Sequence, residues 1–117
     1  MKKIYILIMT LTPFISGAER DVNASWCASM GGDDQFITKD RTYVDCLTDE
    51  YAIEAEYDYN WKEAIGQSLH YAESTNKKAG ILFIKRSKSK KDYFNEMLRV
   101  IEKYQLPIKI FVIQEES

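Results

Sequence analysis

Cysteine, histidine and surplus positive charge are all scarce in this sequence of 117 residues. It has two cysteines and one histidine, too few for the four ligands of a structural zinc centre. Lysine and arginine number 16 against 18 acidic residues, so the chain is not a polybasic protein that wraps nucleic acid. No glycine-rich phosphate-binding loop is present, and the composition excludes a collagen-like or low-complexity chain. The length admits one domain rather than two.

The longest apolar run lies at the amino terminus. Two lysines precede twelve mostly apolar residues at 4–15, and Ser16 and Ala18 are small residues at the positions expected before a cleavage site. This pattern predicts a signal peptide at 1–18, because the run is shorter than the roughly 20 apolar residues that span a bilayer. The alternative is a buried first strand or an uncleaved anchor. The remaining single domain, 19–117, would be secreted or periplasmic, would have no transmembrane segment, and would carry a formal charge of −4.

The two cysteines, Cys27 and Cys46, lie after the predicted signal peptide. An even number of cysteines in an exported chain predicts a disulfide. Closing a loop of about twenty residues would stabilise the fold by roughly 3 kcal/mol. The alternative is a pair of buried thiols, as in proteins of reducing compartments.

Hydrophobic periodicity predicts a single α/β domain with a mixed sheet, in which an αβββαβ core is followed by a C-terminal αβ unit. The second helix begins after Asn60, a favourable N-cap, and Glu63 three residues later completes a capping-box pattern. The predicted elements are helix 19–30, a hairpin of strands 35–38 and 42–47, strand 51–57, helix 61–75, strand 79–85, helix 93–104 and strand 108–113.

The helix predicted at 61–75 has two unlike sides. An apolar stripe that includes Ile65 and Leu69 should face the core. Gln67 and Tyr71 lie four residues apart and therefore share a side. At 100° per residue, we expect that side to lie roughly opposite the stripe.

Three acidic residues fall on neighbouring predicted strands. Asp45 lies on the second strand, and Glu54 and Glu56 lie two residues apart on the third, so these two project from one face. Carboxylates on adjacent strands are suitable ligands for Mg²⁺, which prefers oxygen donors. The spacing therefore makes Asp45, Glu54 and Glu56 candidate metal ligands and Mg²⁺ the candidate cofactor. The alternative is a polar strand face whose acids point into water.

Asp45, Glu54-Ala55-Glu56 and the Gln67-x-x-x-Tyr71 spacing, in that order, resemble the PD-(D/E)XK nuclease superfamily, which includes restriction-endonuclease-like and Holliday-junction resolvase-like proteins. The wider stretch from Asp45 to Tyr71 is also similar to small exported bacterial or phage-associated proteins of unassigned function. The resemblance implies an endonuclease-like fold with acids on the second and third strands as metal ligands. It also implies that Gln67 and Tyr71 orient either the substrate or the groups around the metal ligands, and it points to Glu19 as a further acid on the first helix.

The sequence departs from that superfamily at one position. The superfamily has a lysine two residues after the acid of the third strand, and here that position is Glu56. A carboxylate does not supply the positive charge that polarises an attacking water. Lys62 on the following helix is the candidate substitute, and the alternative is that it is a solvated charge.

Three functional hypotheses follow from these residues and the resemblance. The favoured one is an exported protein with a nuclease-like fold that serves as a binding or interaction module with a degenerate catalytic site. The second is a Mg²⁺-dependent nuclease, in which Asp45 and Glu54 bind the metal and Lys62, Gln67 and Tyr71 support catalysis. The third is a structural exported protein without a site. Whether the protein is an enzyme stays open.

The partners are equally open, with nucleic acid and an envelope protein as candidates. The one dense basic run, KRSKSKK at 85–91, is either a solvated loop or a contact for a polyanion such as nucleic acid or anionic lipid.

Overall fold

A five-stranded mixed sheet forms the centre of the protein, for which a computed structural model describes residues 19–115. The helices are α1 (Glu19–Ser29), α2 (Trp61–Thr75) and α3 (Tyr93–Lys103), and the strands are β1 (Asp33–Ile37), β2 (Tyr43–Leu47), β3 (Tyr51–Tyr57), β4 (Lys78–Lys85) and β5 (Ile108–Gln114). The strands are ordered β1-β2-β3-β4-β5. The first three are antiparallel neighbours, whereas β3, β4 and β5 are parallel. Tight turns join the antiparallel strands, and α2 and α3 provide the crossovers that parallel strands need.

The helices cover both faces of the sheet and so create three layers. On one face α1 packs through Val22 and Trp26 against alternate residues of the parallel strands, such as Leu82 and Phe111. On the other face α2 and α3 pack against the intervening residues, such as Ile81. Burial of β4 on both faces explains its nearly continuous apolar sequence. The predicted α/β class with a mixed sheet is confirmed.

The start of α2 differs from the predicted capping box. A short 3-10 turn, Asp58–Asn60, leads directly into the helix, and the side chain of Asn60 makes no capping hydrogen bond. Instead, its Nδ2 donates to Oε1 of Glu56 at 3.4 Å. Asn60 therefore occupies the predicted N-cap position, but the predicted capping hydrogen bond is absent because the amide is turned toward the buried Glu56.

Both predicted sides of α2 pack against the rest of the protein. The buried surface of the helix includes Ser68 and Tyr71, and Tyr71 packs over the β2–β3 part of the sheet. Ile65 and Leu69 are half-buried against the cluster under α3. The two sides remain roughly opposite around the helix, as predicted, and both are partly buried because the sheet extends beneath both edges of the helix. Gln67 is therefore half-buried rather than directed away from the protein.

The disulfide between Cys27 and Cys46 is present and joins α1 to β2. The two Cα atoms are 5.7 Å apart, within the range that disulfides occupy. The predicted bridge is confirmed, and both cysteines are fully buried.

Within residues 19–115, no helix is long and apolar enough to cross a membrane. The signal peptide predicted at 1–18 lies outside the described residues, so its cleavage stays a prediction.

Candidate functional site

Asp45 and Glu54 meet where β2 separates from β3. The two strands pair at Cys46↔Ile53, and continuing this register places Asp45 beside Glu54. The main-chain ladder stops there, and the N–H of Ala55 donates to Oδ2 of Asp45 at 2.8 Å. The side chain of Asp45 thus takes the place of a main-chain partner, which fixes its carboxylate between the two strands.

Two further elements hold Asp45 in place. From α1, Nδ2 of Asn23 donates to the main-chain oxygen of Asp45 at 2.8 Å. From β1, Nε2 of Gln35 lies 3.5 Å from Oδ1 of Asp45, at the limit of a hydrogen bond. Asn23 was not among the predicted site residues. The sequence gives one indication of its role: Asn23 is a polar residue on the otherwise apolar face of α1, beside Val22 and Trp26.

Glu54 is the deepest of the acids, with 2% of its surface exposed. The amide nitrogen of Gln67 points toward Glu54 and donates to both of its carboxyl oxygens, at 2.5 and 3.1 Å. This orientation is assigned from the hydrogen-bond network. The hydroxyl of Tyr71 also hydrogen-bonds to Glu54. The structure therefore brings Asp45, Glu54, Gln67 and Tyr71 together.

The carboxyl group of Glu54 is neutral at physiological pH. Burial, followed by the hydrogen bond and the negative charge of Asp45, raises the pKa of Glu54 to about 11. A protonated Glu54 can donate its hydrogen to Asp45, so the two groups share one proton. Burial and the nearby carboxylates also raise the pKa of Tyr71, which stays a neutral phenol.

Two more acids extend this pair into a carboxyl cluster, which we define as Glu19, Asp45, Glu54 and Glu56. Burial raises the pKa of Glu56, although its hydrogen bonds with Glu54 and Glu19 act in the opposite direction. Burial and then the charge of Glu56 raise the pKa of Glu19, at the start of α1, to about 8. The ion pairs found among residues 19–115 include no member of the cluster.

Lys62 does not join the carboxyl cluster. Its Nζ lies 5.6 Å from the centroid of the Trp61 ring, on the side of α2 that faces α3. There it lines a cleft of about 260 Å³ together with Lys91, Glu96 and other residues. Its positive charge helps to lower the pKa of Glu96 on α3. The structure thus offers no lysine at the position that the superfamily resemblance required.

The carboxyl cluster has the chemistry of a site for a hard cation, with carboxyl, amide and phenol oxygens as the available donors. In the described part of the chain, no three histidine, cysteine, aspartate or glutamate side chains are already arranged as a ligand set. The acids instead hydrogen-bond to one another. The arrangement can therefore bind protons as it stands, and a cation only by displacing the shared proton.

Two curated relatives, both from Acanthamoeba polyphaga mimivirus, match this chain. One is described as a KilA-N domain-containing protein, R878, and is 36% identical over 69 residues, which are 59% of this chain and 19% of the relative. The other is described as a KilA-N domain-containing protein, L33, and is 27% identical over 110 residues, which are 93% of this chain and 44% of the relative. The chain spans about a fifth of the first and less than half of the second. No protein-family model matches, and no solved structure matches.

These matches correct the superfamily prediction. The relatives point to KilA-N domain-containing proteins, so the PD-(D/E)XK identification is wrong, and with it the interpretations as an exported nuclease-like module or a Mg²⁺-dependent nuclease. The endonuclease-like form of the fold is not confirmed. Many unrelated strands carry acids at alternate positions, and many unrelated helices carry a Gln–Tyr pair four residues apart. Sharing this geometry therefore does not establish that two proteins are related.

Proposed function

We propose that the protein is a module that binds a divalent cation at its carboxyl cluster, with Asp45, Glu54 and Glu56 as ligands. The observation that carries this proposal is the burial of Glu54 beside another carboxyl group, with no ion pair to either. Burying two ionised acids together is unfavourable unless something compensates their charge, and without a cation the shared proton does so. A divalent cation would compensate two carboxylates at once.

Mg²⁺ is the cofactor we propose, because all the available donors are oxygen atoms. Gln67 adds an amide that can present its oxygen after rotation, and Tyr71 adds a phenol. In this proposal the two side chains position Glu54, and neither acts on a substrate. Lys62 has no part in it, because it lies on the other side of α2.

Similar segments form parts of longer proteins in the mimivirus relatives, which suits a module that can be combined with other segments. The secreted or periplasmic location stays a prediction that rests on residues 1–18. The candidate partners, nucleic acid and an envelope protein, likewise stay predictions at this point.

Isothermal titration calorimetry with Mg²⁺, Mn²⁺ and Ca²⁺ tests the proposal. We expect one cation per chain, and at least tenfold weaker binding for Asp45→Asn and Glu54→Gln. Glu73→Gln is the matched control, since Glu73 is an exposed acid on the same helix as Gln67. Absence of binding up to the millimolar range, or equal losses in the control, would contradict the proposal.

A further inference from the structure

The loop of residues 85–91 concentrates positive charge in a chain that is acidic overall. Five of its seven residues are lysine or arginine, whereas the whole chain carries a formal charge of −2. Arg86 pairs with Asp58 and Lys91 pairs with Glu96. The ion pairs of residues 19–115 include neither Lys88 nor Lys90, and both are exposed. The loop therefore presents uncompensated charge to solvent.

A buried carboxylate anchors this loop to the protein. The side chain of Asp58 is only 1% exposed, and it accepts hydrogen bonds from Nε of Arg86 at 2.9 Å and from the main-chain N–H of Arg86 at 3.3 Å. The hydroxyl of Ser89 donates to the same carboxylate. Fixing both Arg86 and Ser89 shapes a cavity of about 390 Å³ beside them, which Ser87, Lys90 and Tyr93 also line. The cationic side chains thus surround a defined concave surface.

An aromatic stack lies next to the basic loop. The guanidinium carbon of Arg86 is 4.3 Å from the centroid of the Tyr59 ring. The rings of Tyr57 and Tyr59 are nearly parallel, with centroids 6.1 Å apart. Tyr59 is 47% exposed. Aromatic rings and guanidinium planes are the surfaces on which unpaired bases stack.

We propose that the basic loop and the Tyr59–Arg86 stack form a binding site for single-stranded nucleic acid. Lys88 and Lys90 contact phosphates, and a base stacks on Tyr59 and Arg86. A membrane surface explains the arrangement less well, because the loop has no apolar residue to insert between lipids. This site shares no residue with the carboxyl cluster, and the proposal does not depend on cation binding there.

Fluorescence anisotropy with a labelled oligothymidylate tests the site in the whole chain. The Lys88→Ala/Lys90→Ala variant should bind several-fold more weakly, and the slope of log affinity against log salt should fall by about 1.4, since each phosphate contact on a single strand contributes about 0.7. Tyr59→Ala should weaken binding by about tenfold without changing the slope. The control is Lys39→Ala/Lys103→Ala, which removes the same charge from exposed positions outside the loop. Thermal melting of each variant confirms that it is folded.

Three results would overturn the proposal. The first is no binding of the oligonucleotide at low salt, or binding only to phosphatidylserine vesicles. The second is an equal loss of affinity in the control variant. The third is a Tyr59→Ala variant that binds the oligothymidylate as tightly as the wild type does. That result would show that the bound strand does not stack on Tyr59.

Discussion

At the scale of single residues, Glu54 makes stability depend on pH. Burial raises its pKa to about 11 in the folded protein, whereas in the unfolded chain the pKa returns to the ordinary carboxyl value of about 4.5. Between these two values the folded state holds a proton that the unfolded state has released. Stability must therefore fall as the pH rises above about 4.5, and it is not reduced by this group at lower pH. Glu19 acts in the same direction up to about pH 8.

Replacing Glu54 by glutamine should remove this pH-dependent loss. Glutamine keeps the neutral shape of the protonated acid and can still donate to Asp45. We expect the stability of Glu54→Gln relative to the wild type to increase by about 1 kcal/mol or more between about pH 5 and pH 8, because each pKa unit corresponds to about 1.4 kcal/mol. Urea denaturation with a chelator present measures the gain. A difference between variant and wild type that does not change with pH would show that Glu54 is ionised in the fold.

Two glycines should respond to alanine with opposite signs. A Cβ at Gly32 would lie 2.8 Å from Sγ of Cys46 and 2.9 Å from Sγ of Cys27, so Gly32→Ala should destabilise by about 1–3 kcal/mol. Gly66 lies in α2 with no atom within 4 Å of the added Cβ, so Gly66→Ala should stabilise by about 0.5–1 kcal/mol. Thermal unfolding of the two variants checks both signs, and destabilisation by Gly66→Ala would contradict this account of α2.

At the scale of elements, α1 is attached to the sheet by a covalent bond as well as by apolar packing. The disulfide joins Cys27 to Cys46, and Asn23 bonds to the neighbouring Asp45. Trp26 adds an aromatic contact with Phe111, with ring centroids 5.2 Å apart. Because Glu19 lies on the same helix, the attachment of α1 also sets the position of one acid of the carboxyl cluster.

Removing the disulfide should therefore loosen α1 in particular. We expect the Cys27→Ala/Cys46→Ala variant to lose about 3 kcal/mol of unfolding free energy, as is typical for a loop of this length. Hydrogen exchange should quicken for the amides of α1, while α3 keeps its protection relative to global unfolding. Uniform loss of protection in both helices would show that α1 is not a separately attached element.

The sequence predicted some elements better than others for physical reasons. The bounds of β3 and α2 agree with the predicted 51–57 and 61–75, because strict alternation marks the strand and a polar segment precedes the helix. The predicted strand 35–38 is instead β1, Asp33–Ile37. All five of its residues are exposed, and Gln35 has a φ of 58°. An edge strand of this kind carries no burial pattern, so only its pairing with β2 defines it.

At the scale of the whole molecule, the described residues separate two kinds of charge. The carboxyl cluster is formed by residues of α1, β2 and β3, whereas the basic loop follows β4 at the start of the crossover to α3. The convergence of Asp45 and Glu54 was predictable, because residues on adjacent strands come together in a sheet. The position of Lys62 was also predictable, because nine residues at 100° each place it on the opposite side of α2 from Tyr71. The relationship to the PD-(D/E)XK superfamily was predicted wrongly, because it depended only on the spacing of a few acids and of Gln67 and Tyr71.

The most direct test of the account is to locate a bound cation by NMR. Mn²⁺ broadens the signals of nearby nuclei, so a titration followed in amide spectra shows which residues lie near the cation. We predict that the amides of Asp45, Glu54 and Glu56 broaden first, and that Asp45→Asn abolishes the effect. Broadening confined to exposed acids such as Asp33 and Asp34, or no broadening, would contradict the claim that the carboxyl cluster binds a divalent cation.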